Sequence, residues 1–167
     1  TRLERLLGNH NHLIKPQEAK LMKIQKPLEV LDSKTEYKFL RPNLLIPTLR
    51  ILSENLDSEY PQKIFELGTT FQAKDSKETQ VQENHNLILA LTPGNFTEAK
   101  QHLDYLFSQL GLDYKLQESE ETGFIPGRTA KIQFNEKPIG VIGEIHPITL
   151  RKLGLKMPLA IVEISLD

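Results

Sequence analysis

Apolar residues at helical spacing predict three helices. Leucines recur at i, i+4, i+7 and i+11 across residues 45–56, which forms one stripe of an amphipathic helix. The apolar residues of 96–110 also share one helical face, with Asn95 placed to cap its start and Gly111 to end it. A shorter helix is predicted at 147–153, where a proline suits the first turn.

Shorter apolar segments rich in β-branched residues predict strands. They are 64–71, 86–91, 129–134, 139–145 and 160–166. The connection at 135–137 is short enough for a hairpin, so we expect a largely antiparallel sheet. Helices and strands do not alternate strictly along the chain. We therefore expect an α+β fold in which helices pack on one face of an antiparallel sheet.

Two polar stretches interrupt this pattern without dividing the chain. Residues 74–86 predict an exposed connection, and residues 118–127 predict a loop that ends in a Pro-Gly turn. Strand-like segments flank both stretches. We therefore expect one domain over residues 1–167, with 1–19 as a peripheral N-terminal segment whose leucines at 3, 6 and 7 have helical spacing.

Composition narrows the class of protein. The chain has 167 residues, of which 38% are hydrophobic and 26% charged, enough apolar material for a packed core. Lys and Arg number 21 against 22 Asp and Glu, and this balance is unlike the basic excess of autonomous nucleic-acid binders. The absence of cysteine excludes disulfides and thiolate chemistry. Without a signal peptide or a long apolar run, we expect a soluble cytoplasmic protein with no membrane contact. The first residue, Thr1, suggests a piece of a longer polypeptide.

The histidines give little support for a catalytic or metal site. His10 and His12 lie two residues apart near the terminus, without a third ligand at a suitable spacing. His85 and His102 fall at polar positions, where we expect them to be solvated. His146 differs because it lies beside Glu144 at a strand-to-helix junction, where it either shapes the helix start together with Pro147 or has a functional role.

Other catalytic motifs are missing. No serine lies in a Gly-flanked elbow, and neither a phosphate-binding loop nor a dinucleotide fingerprint occurs. Glu66 and Glu163 lie inside apolar strands, where we expect them to point outward from a half-exposed sheet. The lysines and arginine of 20–41 alternate with acidic residues, so this stretch predicts a mixed surface and not a phosphate-binding track.

Four short motifs in register carry a family resemblance. They are LRPNLLIPTL at 40–49, PQKIFELG at 61–68, PGRTA at 126–130 and IGVIGEIHP at 139–147. In this order they resemble the synthetase-like core of the phenylalanyl-tRNA synthetase beta subunit of the archaeal and eukaryotic kind. The resemblance covers residues 20–167. It implies a class II aminoacyl-tRNA synthetase-like fold, an antiparallel sheet flanked by helices.

The resemblance also implies a division of labour between two subunits. In that family the alpha subunit holds ATP, magnesium and phenylalanine, and the beta core is a structural partner in an α2β2 assembly. We therefore expect no cofactor in this chain and contact with tRNA only in the assembled enzyme. The magnesium-binding and editing modules of the beta subunit would precede Thr1.

The residues at the matching class II positions predict that this copy makes no adenylate. A class II site needs an arginine fork on the strand of its second motif to hold the α-phosphate. The strand at 63–71 offers Glu66 instead, and no arginine occurs between Arg50 and Arg128. The third motif should fall at 161–167, where IVEISLD contains neither glycine nor arginine. Carboxylates at these places would repel a triphosphate.

Individual residues of the four motifs have structural interpretations as well. Arg41 is either a solvent-exposed residue at a helix start or a contact to a partner subunit. Gly127 is expected to form a tight turn, because glycine accepts backbone angles that other residues resist. Arg128 is expected either to pair with Glu144 within the fold or to reach across a subunit interface.

A surplus of apolar residues on the 45–56 helix predicts a partner surface. Ile46 and Ile51 lie off its leucine stripe, so they either contact the alpha subunit or belong to the core if the sheet covers both helix faces. Two other functions remain open. One is a free-standing class II-like paralogue that binds a ligand for regulation, which should retain a polar, Gly-lined pocket and a phosphate-binding arginine, and the sequence offers neither. The other is an RNA-binding module, which the near-neutral charge disfavours.

Overall fold

The computed structural model describes residues 12–31, 33–73 and 81–167. Its helices are α1 (Pro16–Leu21), α2 (Leu45–Glu54), α3 (Phe96–Leu110) and α4 (Pro147–Lys152). Its strands are β1 (Leu13–Ile14), β2 (Phe39–Leu40), β3 (Gln62–Ala73), β4 (Val81–Thr92), β5 (Lys115–Glu118), β6 (Phe124–Phe134), β7 (Lys137–Ile145) and β8 (Ala160–Ser165). The expected α+β composition is confirmed.

Six strands form one antiparallel sheet in the order β3-β4-β8-β7-β6-β5. β1 and β2 pair with each other separately. The predicted hairpin at 135–137 joins β6 to β7. Asn135 and Glu136 have positive φ angles of 49° and 64°, which matches a two-residue turn between strands.

Helices cover both faces of the sheet, so the expectation of helices on one face is wrong. On one face, α3 packs through Ala99, Leu103 and Phe107 onto a cluster that includes Val162 and Ile164 of β8. On the other face, α1, α2 and α4 share a cluster with Ile88, Ala90 and Ile161. Both clusters include residues from β4 and β8, because successive side chains of a strand point to opposite faces. β4 and β8 therefore carry apolar residues on both faces wherever helices cover both sides of the sheet.

The helix ends follow their capping residues. The Asn95 side chain accepts a hydrogen bond from the backbone N–H of Glu98 at 2.9 Å, as predicted for the start of α3. Gly111 ends that helix in the left-handed conformation with a φ of 65°. α2 ends two residues earlier than predicted, because Asn55 leaves helical geometry, and Leu56 is exposed beyond it.

Strands extend into both stretches that the sequence marked as polar. β4 begins at Val81, so residues 81–86 of the predicted connection pair with β3, and residues 74–80 lie outside the described part. β5 ends at the first residue of the predicted loop at 118–127, and β6 contains the last four residues of that loop. Paired strands that extend past the core can consist of polar residues, because hydrogen bonds between the strands hold them together.

Part of the N-terminal segment belongs to the core. Ile14 and Ala19 are buried in the cluster beneath α2, so residues 12–19 are not peripheral. α1 was not predicted, because its six residues are too short for a helical period to stand out. The leucines at 3, 6 and 7 and His10 lie outside the described residues. None of the helices in the described ranges is long and apolar enough to cross a membrane.

Candidate functional site

A cleft with a volume of about 560 Å³ lies on the α2 side of the sheet. Its floor is formed by β3, β4, β8 and β7, and its walls by the start of α2 and residues 121–124. Side-chain amides from two neighbouring strands line the floor, namely Gln72, Gln82, Asn84 and Asn86. They share this face because residue 72 pairs with 82, and 84 and 86 follow at the period of a strand. We call this cavity the amide cleft.

Glu163 of β8 lies at the inner end of the amide cleft and is 6% exposed. Its carboxylate accepts hydrogen bonds from the backbone N–H groups of Leu44 and Leu45, at 2.8 and 3.1 Å, where α2 begins. The side-chain Nδ2 of Asn86 donates to it as well, at 2.8 Å. The expectation that Glu163 points outward into solvent is therefore wrong, because α2 covers the face of β8 that carries it.

Burial raises the pKa of Glu163 above its ordinary value, and this loss of hydration outweighs the donors that act in the opposite direction. Those donors are the two helix amides and Asn86, with a smaller contribution from the charge of Arg41. The first-turn N–H groups and dipole of a helix form a natural anion site. In this chain Glu163 fills the anion site of α2.

Asn86 has a polar atom without a partner. Its Nδ2 donates to Glu163, and this bond sets the orientation of the amide. Its Oδ1 is buried and accepts no hydrogen bond in the described part of the chain. Next along β4, Asn84 accepts a hydrogen bond from Gln82 at 2.8 Å. The amide row therefore contains a buried acceptor that has no partner among the described residues, next to a buried carboxylate.

The described residues that line the amide cleft include two acids, Glu121 and Glu163, and no basic side chain. The expectation that the chain lacks a polar, Gly-lined pocket is wrong, since Gly140 and the amide row line one. The signal that sequence reasoning missed was the set of amides at the end of β3 and the start of β4. These residues do not fit ATP, because the charge of a triphosphate needs cationic partners, the two carboxylates repel it, and the backbone amides at the start of α2 already hold Glu163.

Arg41 lies behind the amide cleft and is 1% exposed, so both interpretations of it as a surface residue are wrong. Its Nη1 donates to Oε1 of Glu66 at 2.7 Å, and its Nε donates to the carbonyl oxygen of Thr69 at 2.7 Å. Glu66 was expected to point outward, and instead it is mostly buried against this guanidinium. Gly68 leaves room for the pair, because a Cβ there would lie 2.4 Å from Nη2 of Arg41.

Arg128 and Glu144 form the predicted ion pair on the α3 side of the sheet. Nη1 of Arg128 donates to Oε2 of Glu144 at 2.8 Å, and Oε1 of the same carboxylate accepts from the N–H of Phe96 at 2.9 Å. Glu144 thus holds the start of α3. Gly127 has the expected left-handed φ of 74°, but it lies within β6, where the register to β7 shifts between residues 124 and 129. It makes a bulge in a strand and not a turn between elements.

His146 and Pro147 shape the start of α4, as the structural interpretation expects. Nδ1 of His146 accepts a hydrogen bond from the backbone N–H of Ile148 at 3.1 Å, and Pro147 occupies the first helical turn. His85 is exposed and faces Asp167, with 3.2 Å between its Nδ1 and the carboxylate. Among the described residues, no three His, Cys, Asp or Glu side chains converge as metal ligands would.

The two isoleucines of α2 do not form an exposed patch. Ile46 is 2% exposed and belongs to the core cluster, so its assignment to a partner surface is wrong. Ile51 is half-buried. The sheet and α1 enclose α2 on more than one side, which accounts for its surplus of apolar residues.

The exposed apolar surface lies instead on β3, an edge strand of the sheet. Phe65 is 75% exposed and Leu67 65% exposed, both on the α3 side. The N–H of Phe71 donates to the carbonyl of Arg41, which shows that odd-numbered residues of β3 turn their backbone groups away from β4. No backbone partner from the described part of the chain reaches the outer groups of residues 63, 65 and 67. We call residues 63–67 the open edge.

Comparison with known proteins finds similarity to the beta subunits of one synthetase. The family model described as the phenylalanyl tRNA synthetase beta chain CLM domain matches residues 9–166. The phenylalanine–tRNA ligase beta subunit of Thermococcus kodakarensis is 42% identical over 151 residues, and that of Thermococcus onnurineus is 39% identical over 150. These matches cover 89% of this chain and 25% of each relative. The chain thus spans about a quarter of the length of these relatives.

Solved structures confirm the fold that the resemblance implies. A pyrrolysyl-tRNA synthetase from Desulfitobacterium hafniense matches with a TM-score of 0.71 and 17% identity, over 99% of this chain and 64% of that one. A second structure of a pyrrolysyl-tRNA synthetase from the same organism matches with a TM-score of 0.70. At this identity the likeness concerns the fold, a class II synthetase-like antiparallel sheet with helices on its faces.

Proposed function

Because the chain belongs to the phenylalanyl-tRNA synthetase beta chain CLM domain family, we propose that it is a non-catalytic assembly core. In this proposal it supports an alpha subunit that attaches phenylalanine to tRNA in a cytoplasmic α2β2 enzyme. ATP, magnesium and phenylalanine bind to the alpha subunit, and tRNA meets this core only in the assembled enzyme.

The observation that carries the proposal is the position of Glu163. A class II site that makes adenylate stabilises phosphate charge with guanidinium groups and backbone donors. Here the backbone donors at the start of α2 are taken by the chain's own carboxylate, at 2.8 and 3.1 Å. No basic side chain from the described residues lines the amide cleft to offset it. The cleft therefore lacks the electrostatics for adenylate formation.

The open edge supports the assembly part of the proposal. Edge strands with free backbone groups and exposed apolar side chains readily pair with another chain. Phe65 and Leu67 supply the apolar side chains, and the outer backbone groups of residues 63–67 supply hydrogen bonds. The alpha subunit is the partner that we assign to this surface.

Two assays on the 167-residue chain test the proposal. The chain alone should show no phenylalanine-dependent ATP–pyrophosphate exchange, and exchange that is abolished by a substitution in the amide cleft would overturn the non-catalytic assignment. Co-expression with the cognate alpha subunit should yield a complex that the double variant Phe65→Asp/Leu67→Asp no longer forms. Ile148→Asp is the matched control, since Ile148 is 50% exposed on α4 and should not affect capture.

The outcomes separate assembly from the choice of surface. If the double variant folds and still captures the alpha subunit, the open edge is not the interface, although the assembly role remains. If the unaltered chain captures no alpha subunit, the assembly role itself is wrong.

A further inference from the structure

We propose that an amphipathic helix of the alpha subunit binds in a groove between α3 and β3, on the face of the sheet that α3 packs against. We call this surface the α3-side groove, and its floor consists of Phe65, Leu67, Leu87, Leu89 and Leu166. The inference rests on the proposed assembly role and deepens it. It names the kind of element that the partner contributes, and it extends the contact from the open edge to the face of the sheet.

β3 and β4 form an apolar floor that α3 leaves partly uncovered. Phe65 pairs with Leu89, and Leu67 pairs with Leu87, so the four side chains lie next to each other on one face. Phe65 and Leu67 are exposed, and the two leucines of β4 are only half-buried although they contact the cluster beneath α3. Large exposed apolar patches on folded domains mark surfaces that bind another molecule.

The apolar floor extends to β8, the third strand from the open edge. Val162 and Ile164 lie beneath α3. Leu166 follows them at the period of a strand, so its side chain is on the same face, where it is 53% exposed. Its N–H donates to the carbonyl oxygen of His85 at 2.8 Å, which keeps this end of the chain beside β4. A strand that paired only with the open edge would leave Leu166 in solvent.

The uncovered part of the sheet is as wide as one helix. α3 packs mainly on β8 and β7, which leaves β3 and the adjoining side of β4 open. Neighbouring strands lie about 4.8 Å apart and a helix is about 10 Å across, so two strands accommodate one helix. The ion pair of Lys63 with Glu98, 3.2 Å long, identifies the side of α3 that faces β3. Tyr105, seven residues after Glu98, lies on this side and is 67% exposed, so it forms part of the groove wall.

The charges at the two ends of the groove are already paired within the chain. Lys63 pairs with Glu98 at one end, and His85 faces Asp167 at the other, with 3.2 Å between the charged groups in each case. The groove therefore offers apolar contact and little unpaired charge. This surface suits the apolar stripe of an amphipathic helix, whose residues recur three and four positions apart.

The alpha subunit is the source to which we assign this helix. Phe65 and Leu67 belong both to the open edge and to the groove, so a partner at the open edge also reaches the groove. A second copy of this chain has no suitable helix among its described residues. The apolar stripes of α2 and α3 are buried in their own core, and α1 and α4 have only six residues each.

A substitution away from the open edge tests whether the partner covers the face of the sheet. Leu166→Asp should weaken capture of the alpha subunit by the 167-residue chain by about tenfold or more, because a buried leucine is replaced by a charge. Ile148→Asp, on the exposed side of α4, is the matched control and should leave capture unchanged. Circular dichroism checks that both variants fold. Capture by folded Leu166→Asp equal to that of the unaltered chain would contradict the inference.

Photo-cross-linking tests the kind of element without removing a charge or a fold contact. The amino acid p-benzoylphenylalanine replaces Leu67 or Leu166 in the complex, and mass spectrometry identifies the alpha-subunit residues that it joins. We expect these residues to lie in one segment, three and four positions apart, as on one face of a helix. Joined residues that alternate along a segment would indicate a strand and overturn the inference.

The remaining outcomes separate this inference from the assembly role. If the complex forms but neither position joins the alpha subunit, or both join only a second copy of this chain, the groove binds no helix of the partner and the assembly role remains. If no complex forms with the unaltered chain, the assembly role is wrong and the inference is wrong with it.

Discussion

At the scale of single residues, three buried charges organise this protein, and each bonds to backbone groups as well as to other side chains. Arg41 donates to Glu66 and to a carbonyl of β3, Glu163 accepts from the start of α2, and Glu144 accepts from the start of α3. Buried charges persist only when their hydrogen-bonding capacity is filled. Each of these residues therefore holds an element in place.

Removing the Arg41 guanidinium should be strongly destabilising. Arg41→Met leaves Glu66 without its cation and the carbonyl of Thr69 without a donor, so we expect unfolding free energy to fall by about 3–5 kcal/mol. Urea-induced unfolding followed by circular dichroism measures this loss. Arg151→Met, on an exposed position of α4, is the control and should change stability by less than about 0.5 kcal/mol.

The double variant Arg41→Met/Glu66→Leu should recover much of the loss, because replacing both members of a buried pair leaves no unpaired charge. A single Arg41→Met variant as stable as the parent chain would show that the pair does not hold β3.

Glu163 should make stability depend on pH. Folding raises the pKa of Glu163 above its ordinary value of 4.5. Between pH 4.5 and the pKa of the folded state, the folded chain therefore holds more protons at this residue than the unfolded chain does. Its contribution to unfolding free energy is therefore largest below pH 4.5 and falls as pH rises through that window. Glu163→Gln cannot titrate, so the difference in unfolding free energy between the chain and this variant should change with pH in this direction. A difference that stays constant across the window would contradict the raised pKa.

At the scale of elements, the sheet holds its helices by their N-termini. Glu163 of β8 contacts α2 and Glu144 of β7 contacts α3, each through backbone N–H groups of the first turn. A negative charge at this end of a helix is favourable because the helix dipole is positive there. Glu144 pairs with Ala160 of β8, three residues from Glu163, so the two carboxylates point to opposite faces of the sheet and the two helices lie on opposite faces as well.

The cap of α4 provides a test at this scale. His146→Ala removes the acceptor for the N–H of Ile148 and should lower unfolding free energy by about 0.5–2 kcal/mol, as other lost N-caps do. His146→Asn keeps an acceptor at this position and should retain most of the stability. Metal analysis of the purified chain should give the same content for all three proteins. Stoichiometric zinc that disappears with His146→Ala would contradict the structural role.

At the scale of the whole molecule, the open edge is an unfavourable exposed surface. Its two exposed apolar side chains lie on the last strand of the sheet, beside backbone groups that no residue of the described ranges bonds. Such an edge is a ready template for pairing with another strand. An isolated chain with this edge should bind a second copy when its partner is absent.

We therefore expect the 167-residue chain to self-associate with increasing concentration. Sedimentation velocity should show a dimer whose population falls in Phe65→Asp/Leu67→Asp and is unchanged in Ile148→Asp, which alters an exposed apolar residue on α4. A chain that stays monomeric at every concentration would show that the open edge is not adhesive. Unchanged association in the double variant would place the contact elsewhere.

Much of the fold was predictable because its signals are local. The capping residue and the terminal glycine of the helix at 96–110 directly precede and follow it, and both appear as predicted. The β6–β7 hairpin likewise depends on two turn residues. The ion pair of Arg128 and Glu144 was also predictable, since two adjacent antiparallel strands bring these residues together across a separation of 16.

The sequence predicted what the candidate site lacks, but not what it contains. The missing arginines follow from the residues themselves, and they disfavour a nucleotide site. The amide cleft does not follow from the residues, because its walls come from the start of α2 and from residues 121–124, which are distant in sequence from its floor. Alternation along β3 and β8 identifies which residues share a face, but it does not show whether a helix covers that face.

The sequence by itself determined the longer helices and strands, their order, the family and the absence of phosphate-binding arginines, because each depends on residue types at short spacings. The tertiary structure alone decided the positions of the charged residues. Arg41 and Glu66 are 25 residues apart, and Glu163 and Leu44 are 119 apart. A buried carboxylate and an exposed one occupy the same kind of position in a strand. They differ in what packs over them, and that packing is set by the chain as a whole.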